Sequence, residues 1–271
     1  MGRFLPPPNG NGFPRPILYE NLTRGYFFDT VSRQLKIIAT LKGGDKMAPI
    51  KVDIWGNLAL FTRPEMKVER VSYDIITPSA ARNILTSILW HPGMIWVIRS
   101  IQVCNPVSFI NVKRNEISNV GSAKNILEAK RGKISFDDVS IDATSSRSQR
   151  SSRILKNVRY IIEAEIEMTE DAYEGDTAGK FYSMVTRRIK KGQYYRRPYL
   201  GCREFPCNFR LYDENEVIEC PPDFIGEVDL GYMLYDLDYR DKANVTPCFF
   251  RAVLHNGKLI VPSIDSPEIV R

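Results

Sequence analysis

Residues 157–169, NVRYIIEAEIEMT, set Val158, Tyr160, Ile162, Ala164, Ile166 and Met168 on one side of an extended chain and mostly charged residues on the other. A period of two over this length fits a strand, and it asks for an apolar layer against one face only. The chain is therefore expected to build an antiparallel sheet with one solvated face. Neighbouring segments supply its partners. IKVDIWGNLALFT (50–62) is β-branched and aromatic with apolar residues at many alternate positions, and MIWVIRSIQVCNPVSFINVKRN (94–115) reads as a strand pair broken at Asn105-Pro106. Between them, PSAARNILTSILWH (78–91) repeats Ile84, Leu85, Ile88 and Leu89 on a helical stripe that Pro92-Gly93 stops. TAGKFYSMVTRRIKKGQ (177–193) buries Phe181, Met184, Val185 and Ile189 as a second helix, and YLGCREFPCNFRLY (199–212) is strand-like. Strand, helix, strand, strand, helix, strand is the split βαβ order of an α+β, ferredoxin-like domain, whose antiparallel sheet is a common RNA-binding platform.

The 271 residues, 43% of them apolar, suffice for one large core or two small ones. Folding is expected to begin near Met47. Residues 1–46 start rich in Pro, Gly and Asn, end in a Gly-Gly break, and read as an N-terminal extension or a start placed too far upstream. Residues 47–212 form the main domain, with the charged, Ser-rich stretch 118–152 as a flexible insertion. Residues 213–271 form a smaller β-rich C-terminal region with strands over 228–239 and 247–263 and a hairpin at Asn256-Gly257. The sequence has no run of 18 apolar residues and no signal-peptide core, so a cytoplasmic location and no membrane partner are expected. Cys104, Cys202, Cys207, Cys220 and Cys248 follow no CxxC spacing and read as reduced thiols. With only His91 and His255, a His-based metal site or a Ser-His-Asp triad has almost nothing to draw on, and no metal or cofactor is expected.

The charge is concentrated. The whole chain carries a net +6, yet residues 180–210 alone carry +8, nine basic residues against Glu204. Arg187, Arg188, Lys190, Lys191, Arg196, Arg197 and Arg203 suit phosphates, and the interleaved Tyr194, Tyr195 and Tyr199 offer flat faces to unpaired bases. The competing reading makes RRIKK an ordinary solvated helix face and the tyrosines part of the core. A DNA-binding regulator is the weakest reading, because no helix-turn-helix pattern emerges.

WGNLALFTRPEMKVERVSYDIITPSAARNILTSILWHPGMIWVIRSIQV, then GKFYSMVTRRIKKGQYYRRPYLGCREFPCNF, then VDLGYMLYDLDY resemble the type I-C CRISPR-associated Cas-five-d family of the RAMP superfamily over roughly residues 50–263. The resemblance implies a ferredoxin-like RAMP fold that binds the CRISPR repeat RNA hairpin and its 5′ handle. It implies pre-crRNA processing by metal-independent cleavage, and a place beside the backbone and large subunits of the surveillance complex. Such cleavage, by attack of a 2′-OH on the adjacent phosphate, needs a base, a cation and an acid. The family places a Tyr or His before the Trp of its first helix and a Lys-His pair after the Gly that opens the second. Here Lys180 keeps the lysine, while Leu89 and Phe181 stand at the other two positions. His91 and Tyr182 are the candidate substitutes, with His91 the better base because histidine is the side chain suited to proton transfer near neutrality. Two readings follow: an endoribonuclease that stays in its complex, or a non-catalytic structural cap on the same RNA.

Overall fold

The computed structural model describes residues 48–66, 68–238 and 245–271, so the expected extension over 1–46 lies outside the described residues. The elements are β1 (Ile50–Ala59), β2 (Arg70–Val71), α1 (Pro78–Ile88), β3 (Met94–Val103), β4 (Phe109–Ile117), α2 (Ala123–Lys130) and β5 (Arg147–Met168). They continue with α3 (Ala178–Lys190), β6 (Asn208–Leu211), a 3-10 turn at Pro222–Phe224, β7 (Glu227–Asp238), β8 (Thr246–His255) and β9 (Lys258–Ile260). One sheet runs β6-β1-β5-β3-β9-β8-β7 with every neighbour antiparallel, and β2 and β4 attach to β5. The chain is thus α+β. In β6-β1-β5-β3, α1 links β1 to β3 and α3 links β5 to β6, the strand and helix order read from the sequence.

β5 is the spine. Its second half pairs β1 and β3 on opposite edges, and its first half pairs β4 residue by residue from Arg147↔Ile117 to Leu155↔Phe109. β3 and β4 follow one another along β5, separated where Asn105 Nδ2 donates to the Asn157 carbonyl, as the Asn105-Pro106 break leads one to expect. Residues 147–152, which the sequence reading assigns to the insertion, instead begin β5. Their Ser and Arg side chains carry no apolar alternation because most of this ribbon is wet, so the usual strand signal is missing. Residues 199–207 correct the reading in the other direction. The strand-like run YLGCREFPC is a loop, and only 208–211 join the sheet. Gly201 explains it: at φ +81 its backbone lies so close to Leu60 that a Cβ would fall 1.9 Å from that carbonyl oxygen.

The core lies between the sheet and two helices. Ile84, Leu85 and Ile88 of α1 and Phe181, Val185 and Ile189 of α3 are buried against Val52, Ile54, Ile101, Ile162 and Ala164. Thr77 and Thr177 cap the two helices, each hydroxyl accepting the N–H three residues on. The far end of the sheet returns to the same core. β7 reaches the α1 side, where Leu234 donates its N–H to the Tyr73 hydroxyl and Arg82 pairs with Asp236. Asn256 and Gly257, at φ 50 and 76, make the expected tight hairpin. All five cysteines are thiols, and burial pushes Cys104 and Cys207 up to about 12.

Asp53 departs from the apolar pattern of β1. Its carboxylate is wholly buried, yet it accepts from Arg159 at 2.8 and 3.0 Å and from Arg210 at 2.8 Å, with Glu216 closing the group. This ties β1, β5 and β6 together. Asp53→Ala leaves a buried hole between two guanidinium groups that share only Glu216 among the described residues, and urea denaturation is expected to show a loss of about 3 kcal/mol. A loss under about 0.5 kcal/mol would mean the group is only a surface ornament.

Candidate active site and basic face

α1 ends at Ile88. Leu89 is already extended (φ −137, ψ 116), and its carbonyl accepts from Trp96 Nε1 at 3.1 Å. The helix predicted over 78–91 therefore stops short of Trp90 and His91, so a helical advance of about 100° per residue does not set the direction of His91. A turn does that instead. Met94 donates to the His91 carbonyl at 3.3 Å, Thr169 donates its N–H to the Gly93 carbonyl at 3.1 Å and its hydroxyl to the Pro92 carbonyl at 2.6 Å. The contact is so close that a Cβ at Gly93 would lie 2.7 Å from the Ala172 Cα.

The turn seats His91 against the loop before α3. Its ring packs on Phe181 (centroids 4.7 Å apart) and edge-on to Tyr173 (5.4 Å). Its Nδ1 accepts the Gly93 N–H at 3.1 Å and lies 3.8 Å from Asp176 Oδ2. The Asp176 side chain is 3% exposed; Oδ1 accepts from Lys180 Nζ at 2.8 Å and Oδ2 from the Tyr173 N–H at 3.0 Å. The Lys180 hydrogen bond holds the Asp176 carboxyl below its usual range, so it is ionised at neutral pH.

Lys180 and His91, both singled out from sequence, thus meet through a carboxylate that sequence reasoning missed. The signal was present for half of it, since Asp176 and Lys180 have the i,i+4 spacing of a helical ion pair. Nothing local pointed to Tyr173. Tyr182 is half-buried against the core, with no hydrogen bond or ring contact to His91 or Asp176 among the described residues. Leu89 and Phe181 are fully buried, at 1% and 0% exposure.

The basic stretch divides into used and unused charge. Arg188 is used: it donates to the Ile88 carbonyl at 2.8 Å, closing the end of α1. Beside it, Tyr195 and Arg196 both donate their N–H groups to the Ser87 carbonyl at 2.9 Å, which lays the 194–196 strap across the same helix end. Arg210 belongs to the Asp53 group, and Glu204, the one acid in the stretch, pairs with Arg114 of β4. Arg187, Lys190, Lys191, Arg196, Arg197 and Arg203 are exposed and have no carboxylate partner among the described residues. The tyrosines are not core: Tyr194, Tyr195 and Tyr199 are 48%, 59% and 38% exposed, and Trp90 lies 6.3 Å from the Tyr195 ring, next to His91.

Fold and site together define an α+β protein with exposed cations and aromatic rings on and after α3 and a His-Asp-Lys cluster at the start of that helix. A family model, Cas_Cas5d, described as CRISPR-associated protein (Cas_Cas5), matches residues 50–262. The CRISPR pre-crRNA endoribonuclease Cas5d of Mannheimia succiniciproducens is 44% identical over 224 residues, 82% of this chain and 98% of the relative. Its namesake in Thermus thermophilus is 36% identical over 242 residues, 83% of this chain and 96% of the relative. The crystal structure of a CRISPR-associated protein superposes with a TM-score of 0.59 at 20% identity, over 84% of this chain and all of that one, a likeness of fold. The chain belongs to the Cas5d family of CRISPR-associated proteins.

Two variants separate used from unused charge. Arg188→Ala removes a charged donor from a helix-end carbonyl and is expected to cost about 1 kcal/mol. The triple variant of Arg187, Lys190 and Lys191 to Ala is expected to stay within about 0.5 kcal/mol of the natural protein in thermal melts. Phe181→His, the residue the family resemblance implies at this position, places a polar ring in a fully buried apolar site and is expected to cost about 3 kcal/mol on the same measurement.

Proposed function

We propose that this chain binds CRISPR repeat RNA at the hairpin and 5′ handle, cuts the precursor, and stays with the product in a cytoplasmic surveillance complex beside backbone and large subunits. The observation that supports it best is the six exposed cations on and after α3 without a carboxylate partner among the described residues, together with the His91-Asp176-Lys180 cluster, in a family whose relatives carry the name pre-crRNA endoribonuclease. Arg187, Lys190, Lys191, Arg196, Arg197 and Arg203 follow the phosphates while Tyr194, Tyr195 and Tyr199 stack bases. In the chemical step His91 takes the proton of a 2′-OH, and the 2′-oxygen bonds to phosphorus as the bond to the 5′-oxygen breaks. Lys180 meets the charge on the phosphoryl oxygens, and water returns a proton to the departing oxygen.

The second reading is a non-catalytic cap on the same RNA. It is favoured by the burial of Leu89 and Phe181, because the two positions where the family resemblance places proton-handling groups face the core. A repeat hairpin RNA separates the two. Cleavage of the all-ribose RNA, blocked by a 2′-deoxy nucleotide at the cut site and reduced about 10²-fold or more by His91→Ala, is the expected result. Tight binding with no product at any time establishes the cap. In either case the triple variant of Arg187, Lys190 and Lys191 is expected to flatten the salt dependence of binding by about 0.7 per lost single-strand contact, or about 2 in all. An unchanged slope would remove α3 from the interface.

A further inference from the structure

His91 Nδ1 faces two groups that demand opposite things of it. The Gly93 N–H, at 3.1 Å, is a donor and leaves Nδ1 without a proton, which puts the proton on Nε2. A histidine in that tautomer has no lone pair at Nε2 with which to take a proton. Asp176 Oδ2, at 3.8 Å, is an acceptor, and a proton on Nδ1 directed at it would free Nε2 to act as a base. The Phe181 and Tyr173 rings bound the imidazole elsewhere, so among the described side chains the carboxylate is the charged group within reach of Nδ1.

What keeps Asp176 from claiming that proton is visible in the geometry. Its Oδ1 is bound to Lys180 Nζ at 2.8 Å and its Oδ2 already accepts the Tyr173 N–H at 3.0 Å, so the charge is satisfied. Lys180, however, is half-exposed at 52%, and its ammonium is the group that would meet an incoming phosphate. A phosphate that draws Lys180 away leaves Asp176 nearly buried, ionised and short of a cation, a costly state that a Nδ1–H donor relieves.

We infer that Asp176 is a positioning residue that couples phosphate capture by Lys180 to the tautomer of His91, holding the base inactive until RNA arrives. This rests on the reading of His91 as base and Lys180 as phosphate ligand. In the switch the Nε2–H bond breaks and an Nδ1–H bond forms, water taking up one proton and supplying the other, with no change in charge and no bond between heavy atoms altered.

The test reads the ring nitrogens directly. The sequence has two histidines, and His255 is exposed on the β8-β9 hairpin, so a His255→Gln background leaves a single imidazole for 15N NMR. The free protein is expected to show the Nε2–H tautomer. Lys180→Ala, which releases Asp176 without any RNA, is expected to shift it to Nδ1–H, as is the uncleavable 2′-deoxy repeat RNA added to the otherwise natural chain. Asp176→Asn retains an oxygen for the Tyr173 N–H and is expected to abolish both shifts. It should also lower kcat by about 10²–10⁴-fold at unchanged KM, with Asp176→Glu recovering part of the loss. The same tautomer in the free protein and in Lys180→Ala, or an RNA-driven shift that survives Asp176→Asn, overturns the inference. Failure to bind repeat RNA, or undiminished cleavage by His91→Ala, overturns the functional reading instead, and the Lys180→Ala spectrum still decides the coupling.

Discussion

The pairing of β5 with four other strands is the constraint from which the rest of the molecule follows. Twenty-two residues at about 3.3 Å each make a strand of about 70 Å, long enough to serve two sets of neighbours in turn. Its second half carries β1 and β3 and the helices above them, while its first half carries β4 clear of that core. Register does the fine placement. Met94 pairs with Met168, so the turn that ends α1 and the loop that leaves β5 emerge side by side at one end of the sheet. The His91 turn and the Asp176 loop are neighbours for that reason, and a one-residue slip would turn every side chain of β3 to the wrong face.

Charge is sorted with equal economy. Several guanidinium groups on the sheet are matched: Arg159 and Arg210 around Asp53, Arg99 with Glu165 and Glu167, Arg251 with Asp229. On α3 and the strap after it the matching stops. Three of the unmatched side chains sit in or just after the last turn of the helix, where the exposed carbonyls favour positive charge, so the strip costs the fold little to keep. Unneutralised cations held on a rigid element are suited to a polyanion, because few side chains must be reorganised when it binds.

The sequence made the regular parts legible and left hidden those built from distant contacts. The period-two pattern of 157–169, the stripe of Phe181, Val185 and Ile189, and the Asn256-Gly257 turn each state their structure locally. The run at 199–207 misled because its aromatics suit a strand, while the close approach of Gly201 to Leu60 cannot be read from either segment alone. Arg188 looked like its basic neighbours until its carbonyl partner, a hundred residues upstream, was known. The candidate site shows the same division. Lys180 and His91 were legible as residue types suited to the chemistry, but Asp176 acquires its meaning only from what it touches, and Phe181 only from being wholly enclosed.

The meeting of His91 and Asp176 spans 85 residues of chain, and it has a consequence in time. Besides the turn's own bonds at His91, the contacts at Pro92 and Gly93 come from Thr169 and Ala172, beyond the last residue of β5. A chain emerging from the ribosome can therefore form α1, but β3 and β4 have no partner and the cluster cannot assemble until β5 has been made and paired. Long-range pairing of this kind is slow compared with helix formation. In the order of synthesis the cluster therefore waits for β5 and the start of α3, but its residues are all made before β6 to β9, so it needs the spine and not the far end of the sheet.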